Sequence, residues 1–182
     1  ELKDNFPYKV VEVERAEADD IIAVLAIKTS PNEDVLILSS DKDFVQLQKY
    51  PNITQYSPIL KRYVKADDPV LYVKEHILKG DRSDGIPNFL SPDNTFVVGE
   101  RQKTINSKKL AEWINKSPDE YCTTDVMMRG YKRNQMLVDL DYIPENIKAS
   151  IVEAYDAAQP NSRQKMFNYF VANRLSNLIG VI

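Results

Sequence analysis

The segment VLILSS, Val35 to Ser40, is an apolar run of strand length that ends in two serines and is followed at once by Asp41 and Asp43. A short continuous apolar run of this kind predicts a strand covered on both faces, as in a parallel sheet. Two residues apart in extended chain, Asp41 and Asp43 are expected to point the same way. The chain thus commits a buried strand to delivering two carboxylates to one place.

The flanking pattern extends this reading. KVVEV, Lys9 to Val13, is short and valine-rich and predicts a strand. Ile21, Ile22, Leu25 and Ala26 recur at helical spacing and predict a helix from Ala18 to Thr29. DFVQLQKY predicts a short helix, and NITQYSP with KRYVK a hairpin joined near Pro58. DPVLYVKEHILKG carries Val70, Val73, Ile77 and Leu78 on one stripe, with Gly80 as its stop. Beyond a turn-rich stretch after Gly80, the remaining segments all read as helices. Strands and helices therefore alternate to about residue 80, and helices dominate from 81 to 182. The order strand, helix, strand predicts a mainly parallel sheet with right-handed crossovers, whose ligands sit beyond the strand C-termini.

The bulk numbers exclude several classes. A chain of 182 residues, 43% hydrophobic, is long enough for one sizeable core. A formal net charge of −3 excludes a uniformly basic nucleic-acid coat while permitting local basic patches. A single cysteine, Cys122, excludes an internal disulfide and a cysteine-based zinc site, and suits a reducing cytoplasm. No apolar run reaches the roughly 18 residues of a membrane span. The opening ELKDNFPYK lacks an initiator Met and the features of a signal peptide, so upstream sequence is expected to be missing.

Carboxylates gather in three places: Glu17, Asp19 and Asp20; Asp41 and Asp43; Asp81 and Asp84. Each cluster follows the end of a regular element, where acids also serve as helix caps. Brought to one sheet edge, seven carboxylates would repel one another strongly, so some would hold protons or a multivalent cation would sit among them. With oxygen ligands and no thiolate, the set suits Mg²⁺ or Mn²⁺, and two such ions can hydrolyse a phosphodiester. The lone histidine, His76, falls within an amphipathic helix and is read as structural.

In order and spacing, AEADDIIA, ILSSDKDFVQL and GDRSDGIPN resemble the flap endonuclease / 5′-to-3′ exonuclease family. LSSDKDFVQLQKYPNITQYSP and DLDYIP resemble its T-even phage RNase H branch. The resemblance implies a PIN-like α/β fold, here incomplete at its N-terminus. Residues 1–80 would be the later part of the nuclease core, and 81–182 a helical region with a helix–three-turn–helix element. It implies two divalent metals, Mg²⁺ or Mn²⁺, held by Glu17, Asp19, Asp20, Asp41, Asp43, Asp81 and Asp84. Among these, Asp41, Asp43, Glu17 and Asp20 would be catalytic.

For duplex DNA, the resemblance implies contacts from Gly85, Ile86, Pro87, Gly99, Lys103 and Thr104, to which Lys108 and Lys109 could add phosphate contacts. Lys108 and Lys109 read equally as a solvated helix face. Lys61, Arg62 and Lys65, with Tyr56 and Tyr63 as stacking faces, carry the same ambiguity. The activity implied is that of a structure-selective 5′ nuclease removing primers in replication. Its partners would be duplex DNA, RNA–DNA hybrid or 5′-flap DNA, with a single-strand-binding protein or sliding clamp. The setting would be the cytoplasm of a bacterial host, and the chain a monomer.

Two other classes remain open at this point. A haloacid-dehalogenase-type phosphatase also uses DxD after a strand and a later GDxxxD, although here the later motif is one residue shorter and follows a helix. A non-catalytic duplex-binding module would use only the basic and turn-rich segments.

Overall fold

The computed structural model describes residues 1–180, so Val181 and Ile182, the end of the apolar tail RLSNLIGVI, lie outside the described residues. Three strands form one sheet: β1 (Val35–Leu38), β2 (Ile53–Ser57) and β3 (Arg62–Val64). Strand β1 pairs in parallel with β2, Val35 opposite Ile53, and β2 pairs antiparallel with β3, Tyr56 opposite Tyr63. The helices are α1 (Leu2–Asn5), α2 (Ala18–Thr29), α3 (Pro69–Lys79), α4 (Ser107–Trp113), α5 (Pro118–Tyr121), α6 (Asp125–Val138), α7 (Glu145–Ala157), α8 (Arg163–Ala172) and α9 (Ser176–Ile179). Asp43–Lys49 forms a 3₁₀ helix that connects β1 to β2. The protein is α/β, with a small sheet and many helices.

Two compact units are present: Glu1–Val24 with Glu145–Ile182, and Leu25–Pro144. The division falls inside α2. In the first unit, Ile151 of α7 and Met166 and Phe170 of α8 are buried. Phe6 meets Phe170 edge-on at 5.7 Å, and the Lys9 ammonium lies 4.1 Å above the Tyr155 ring. The predicted strand over Lys9–Val13 does not form: the segment has no ladder partner among the described residues. Valine favours extended backbone, but a strand exists only through its pairing.

The second unit carries the sheet, α3 and α6. Helix α3 starts on an Asp68 cap, whose side chain accepts the Leu71 amide, with Pro69 in the first turn. It packs on the 3₁₀ helix and on α6. Ile77 joins Ile86 and Val138 in one buried cluster; Leu78 joins Phe89 and Tyr121 in another, with Trp113, Leu110 and Ile114 packed against it. Gly130 lets α6 lie directly on the loop, since a Cβ there would sit 2.0 Å from the Phe89 carbonyl oxygen. Buried Asn134 donates to the carbonyls of Ile77 (2.8 Å) and Pro87 (3.0 Å), tying α3 to the loop that follows it.

One expectation about burial is overturned. Leu36 and Leu38 are 50% and 67% exposed, so β1 is covered on one face only, where Ile37 is buried. Apolar composition therefore overstates the covering of this strand. On α6, the apolar Met136 and Leu137 are 69% and 61% exposed. On α6 the inward face instead carries Gly130, Asn134 and Val138, spaced by four.

Candidate metal centre

Asp41, Asp43, Asp81 and Asp84 line one cleft of about 520 Å³ in the second unit, together with Tyr72, His76, Lys42 and Lys79. The strand does not present Asp41 and Asp43 by alternation. Lys42 is helical (φ −77°, ψ −20°), so the extended-chain expectation fails, and the Asp41 carboxylate closes a local turn ahead of the 3₁₀ helix by accepting the Asp43 amide at 3.0 Å. Closing the turn and lining the cleft are thus combined in Asp41. Its backbone is pinned from the sheet: Gln55 on β2 donates to the carbonyls of Ser39 (2.9 Å) and Asp41 (2.5 Å). Asp43 is the first residue of the 3₁₀ helix, and the side chains of Phe44 to Leu47 behind it are buried. The 3₁₀ helix is anchored further through buried Gln46, which bonds the Val138 carbonyl and the Leu140 amide, each at 3.0 Å.

The opposite wall is the end of α3. Gly80 turns the chain at φ +66°, and a Cβ there would lie 2.3 Å from the Ile86 carbonyl oxygen, so only glycine fits without movement. Asp81 then repeats the turn chemistry of Asp41: its Oδ1 accepts the Ser83 amide at 2.7 Å and the Ser83 hydroxyl. Its Oδ2 lies 3.0 Å from His76 Nε2. Hydrogen bonds from Ser83, then from His76, hold the Asp81 carboxyl below the usual range despite partial burial.

Asp43 behaves oppositely. Burial, with the charges of Asp41, Asp81 and Asp84, outweighs the attraction of His76 and lifts its carboxyl to about 6. Burial and then Asp43, Asp81 and Asp41 push the Tyr72 phenol up to about 12. Crowded negative charge with too little compensation is the electrostatic mark of this cleft.

His76 is the residue that sequence reasoning set aside. It sits between the two walls, with Nδ1 3.6 Å from Asp43 Oδ1 and Nε2 on Asp81. One ligand atom each from Asp43, His76 and Asp81 lie within 4.8 Å of one another. The Nδ1 atom is buried and has no hydrogen-bond partner. Two carboxylates and an imidazole whose buried Nδ1 is orphaned fit, at this spacing, a divalent cation. The available signal was the helical spacing itself: Tyr72 and His76 on α3 and Gly80 at its end stand four apart, so His76 shares the face that leads to Asp81.

The other predicted residues occupy two places. Glu17, Asp19 and Asp20 lie at the start of α2 in the first unit, where the Glu17 amide donates to Asp20 Oδ2 at 3.0 Å. Gly85, Ile86, Pro87, Gly99, Lys103 and Thr104 lie between α3 and α4 in the second unit. Ile86 is buried and returns its amide to the Asp81 carbonyl at 2.7 Å. Gly85 and Gly99 adopt φ +75° and +71°, with open space where a Cβ would stand. The Lys103 amide donates to Ser91 Oγ at 2.9 Å, while Arg133 reaches the carbonyls of Pro87 (2.8 Å) and Asn88 (3.2 Å). Lys108 and Lys109 are exposed on α4, the latter 5.9 Å from the Trp113 ring.

Known proteins share this framework. Residues 1–77 match the family described as 5′-3′ exonuclease, N-terminal resolvase-like domain, and residues 68–182 the family described as T4 RNase H, C terminal. Ribonuclease H of Enterobacteria phage T4 is 38% identical over 189 residues, covering 100% of this chain and 62% of that protein. Flap endonuclease Xni of Shewanella sp. (strain W3-18-1) is 46% identical over 50 residues, 27% of this chain and 19% of that protein. Among solved structures, a mutant of T5 5′-exonuclease superposes with a TM-score of 0.56 at 18% identity, over 79% of this chain and 68% of that one, a likeness of fold. Since the T4 RNase H, C terminal description covers more than half of its length, the chain belongs to the T4 RNase H family, and it spans 62% of the phage T4 protein.

Proposed function

We propose that this chain works as a structure-selective 5′ nuclease that hydrolyses phosphodiesters during removal of RNA–DNA primers. The observation that carries the reading is the cleft in which Asp43, His76 and Asp81 converge beside Asp41 and Asp84. Glu17, Asp19, Asp20, Asp41, Asp43, Asp81 and Asp84 are the proposed ligands of two ions, Mg²⁺ or Mn²⁺. When bound, such ions activate water and stabilise the leaving oxygen of a phosphodiester.

The chain's own groups prepare the site. Asp41 and Asp81 each spend one oxygen on a turn amide, which fixes the orientation of the other. Asp43 is held over the cleft by a 3₁₀ helix that cannot shift without exposing Phe44 and Leu47. Lys42 at the cleft wall supplies positive charge for a backbone phosphate, while the Lys79 ammonium is paired with Glu75. Gly85, Ile86, Pro87, Gly99, Lys103 and Thr104, with Lys108 and Lys109, are the proposed duplex contacts, favoured by the open space at both glycines. Duplex DNA, RNA–DNA hybrid and 5′-flap DNA are the proposed substrates. A single-strand-binding protein or sliding clamp would be a partner in the same setting, the bacterial host cytoplasm.

Cleavage of a 5′-labelled flap duplex in Mg²⁺ and in EDTA tests the reading. Mg²⁺-dependent cleavage lost in Asp41→Asn and Asp43→Asn supports it; turnover unchanged in both variants overturns it. Hydrolysis of small phosphate esters with no action on DNA would restore the phosphatase reading, which family membership does not favour. Salt-sensitive duplex binding without cleavage would restore the non-catalytic one.

A further inference from the structure

His76 is built into the cleft in a way that a packing residue is not. Asp81 Oδ1 accepts both the amide and the hydroxyl of Ser83, and its Oδ2 lies 3.0 Å from Nε2, a bond completed when Nε2 carries the hydrogen. In the neutral ring the Nδ1 lone pair is then free. It is buried, and no donor answers it. The polar atom that faces it across the cleft is Asp43 Oδ1 at 3.6 Å, another acceptor and too distant for a hydrogen bond.

Two facing acceptors are unfavourable together unless a proton or a metal cation lies between them. The separation suits one. Two donors each about 2.1 Å from a single ion stand about 3.0 Å apart at a right angle and about 3.6 Å apart near 120°. A carboxylate holding the far nitrogen of a ligating imidazole is also the usual means of fixing its tautomer.

We propose that His76 is a nitrogen ligand of the cation site, its Nδ1 joining Asp43 Oδ1 while Asp81 holds Nε2–H. This rests on reading the cleft as a metal centre. An imidazole ligand makes the centre a mixed nitrogen–oxygen site. Nitrogen raises affinity for Mn²⁺ and Co²⁺ relative to Mg²⁺, which prefers oxygen and retains its water. The centre therefore discriminates among divalent cations more strongly than carboxylates alone would allow.

The chain has one histidine, so its ring nitrogens give unambiguous signals in histidine-labelled protein. Co²⁺ is expected to shift the His76 Nδ1 resonance strongly while Nε2 keeps its hydrogen. His76→Gln places an amide near Nε2, able to keep the Asp81 bond, but has no counterpart of Nδ1. It should weaken Co²⁺ and Mn²⁺ binding about 10–100-fold and Mg²⁺ binding less than about threefold, as read by calorimetry. Equal weakening for all three ions, or none, overturns the proposal. So does Asp43- and Asp81-dependent Co²⁺ binding that leaves the His76 ring signals in place. Absence of any divalent binding, or binding that survives both Asp43→Asn and Asp81→Asn, would instead remove the metal-centre reading beneath it. The resonance measurement uses the unaltered protein and so does not depend on the variant folding.

Discussion

Nδ1 of His76 faces Oδ1 of Asp43 across 3.6 Å, at the junction of a helix end and a 3₁₀ helix that follows a strand. Both groups are largely withdrawn from solvent, and the carboxyl is lifted to about 6, chiefly by burial. Ion-free, this arrangement costs stability at neutral pH, and the cost has a sign that can be measured.

An Asp whose folded pKa is raised binds its proton more tightly in the fold. The stability it contributes is fully present below its ordinary value of 3.8 and is lost as pH rises through about 6. Asp43→Asn, uncharged throughout, should therefore melt higher than the parent in EDTA at pH 8, by an amount of order a few degrees. The gap should close by about pH 4, and Mn²⁺ should narrow or reverse the difference at pH 8 by stabilising the parent more than the variant. Thermal melts at both pH values check this; a variant that melts lower in EDTA at pH 8 contradicts it.

Gly130→Ala sets two effects against each other. Alanine favours helix by about 1 kcal/mol over glycine. The added Cβ would stand 2.0 Å from the Phe89 carbonyl oxygen, which is backbone and cannot step aside alone. Overpacking of this kind costs about 1–3 kcal/mol. The clash should win, and urea denaturation should show a net loss of about 1 kcal/mol or more; a stabilised variant would mean that α6 does not approach the loop this closely.

Replacing Lys103, Lys108 and Lys109 together with Ala should weaken duplex binding and flatten its salt dependence. Each phosphate that is no longer neutralised lowers the slope of log K against log salt by about 0.9. A fall of two to three such steps is expected if all three meet phosphate. An unchanged slope in a salt titration would assign them to a solvated face.

The sequence made α2 legible to its observed ends because polar punctuation and helical spacing agree there. The acidic ends of β1 and α3 were legible for a similar reason: Gly80 and the serine pair mark where each element stops. What escaped depended on neighbours in space. Lys9–Val13 has strand composition but no ladder partner among the described residues, and Leu36 and Leu38 stand on the exposed face of β1. His76 reads as one more polar residue on an amphipathic helix. Its role emerges only when the turn at Gly80 folds Asp81 back under it and the 3₁₀ helix brings Asp43 opposite.

Binding of Mn²⁺ to the metal-free protein, followed by the loss of its free-ion paramagnetic resonance signal, decides whether the cleft between Asp43 and Asp81 holds a divalent cation. The parent should bind at least one ion, and Asp43→Asn and Asp81→Asn should each weaken that binding at least about tenfold with the fold intact. Mn²⁺ binding of parental strength in both variants would contradict the assignment of this cleft.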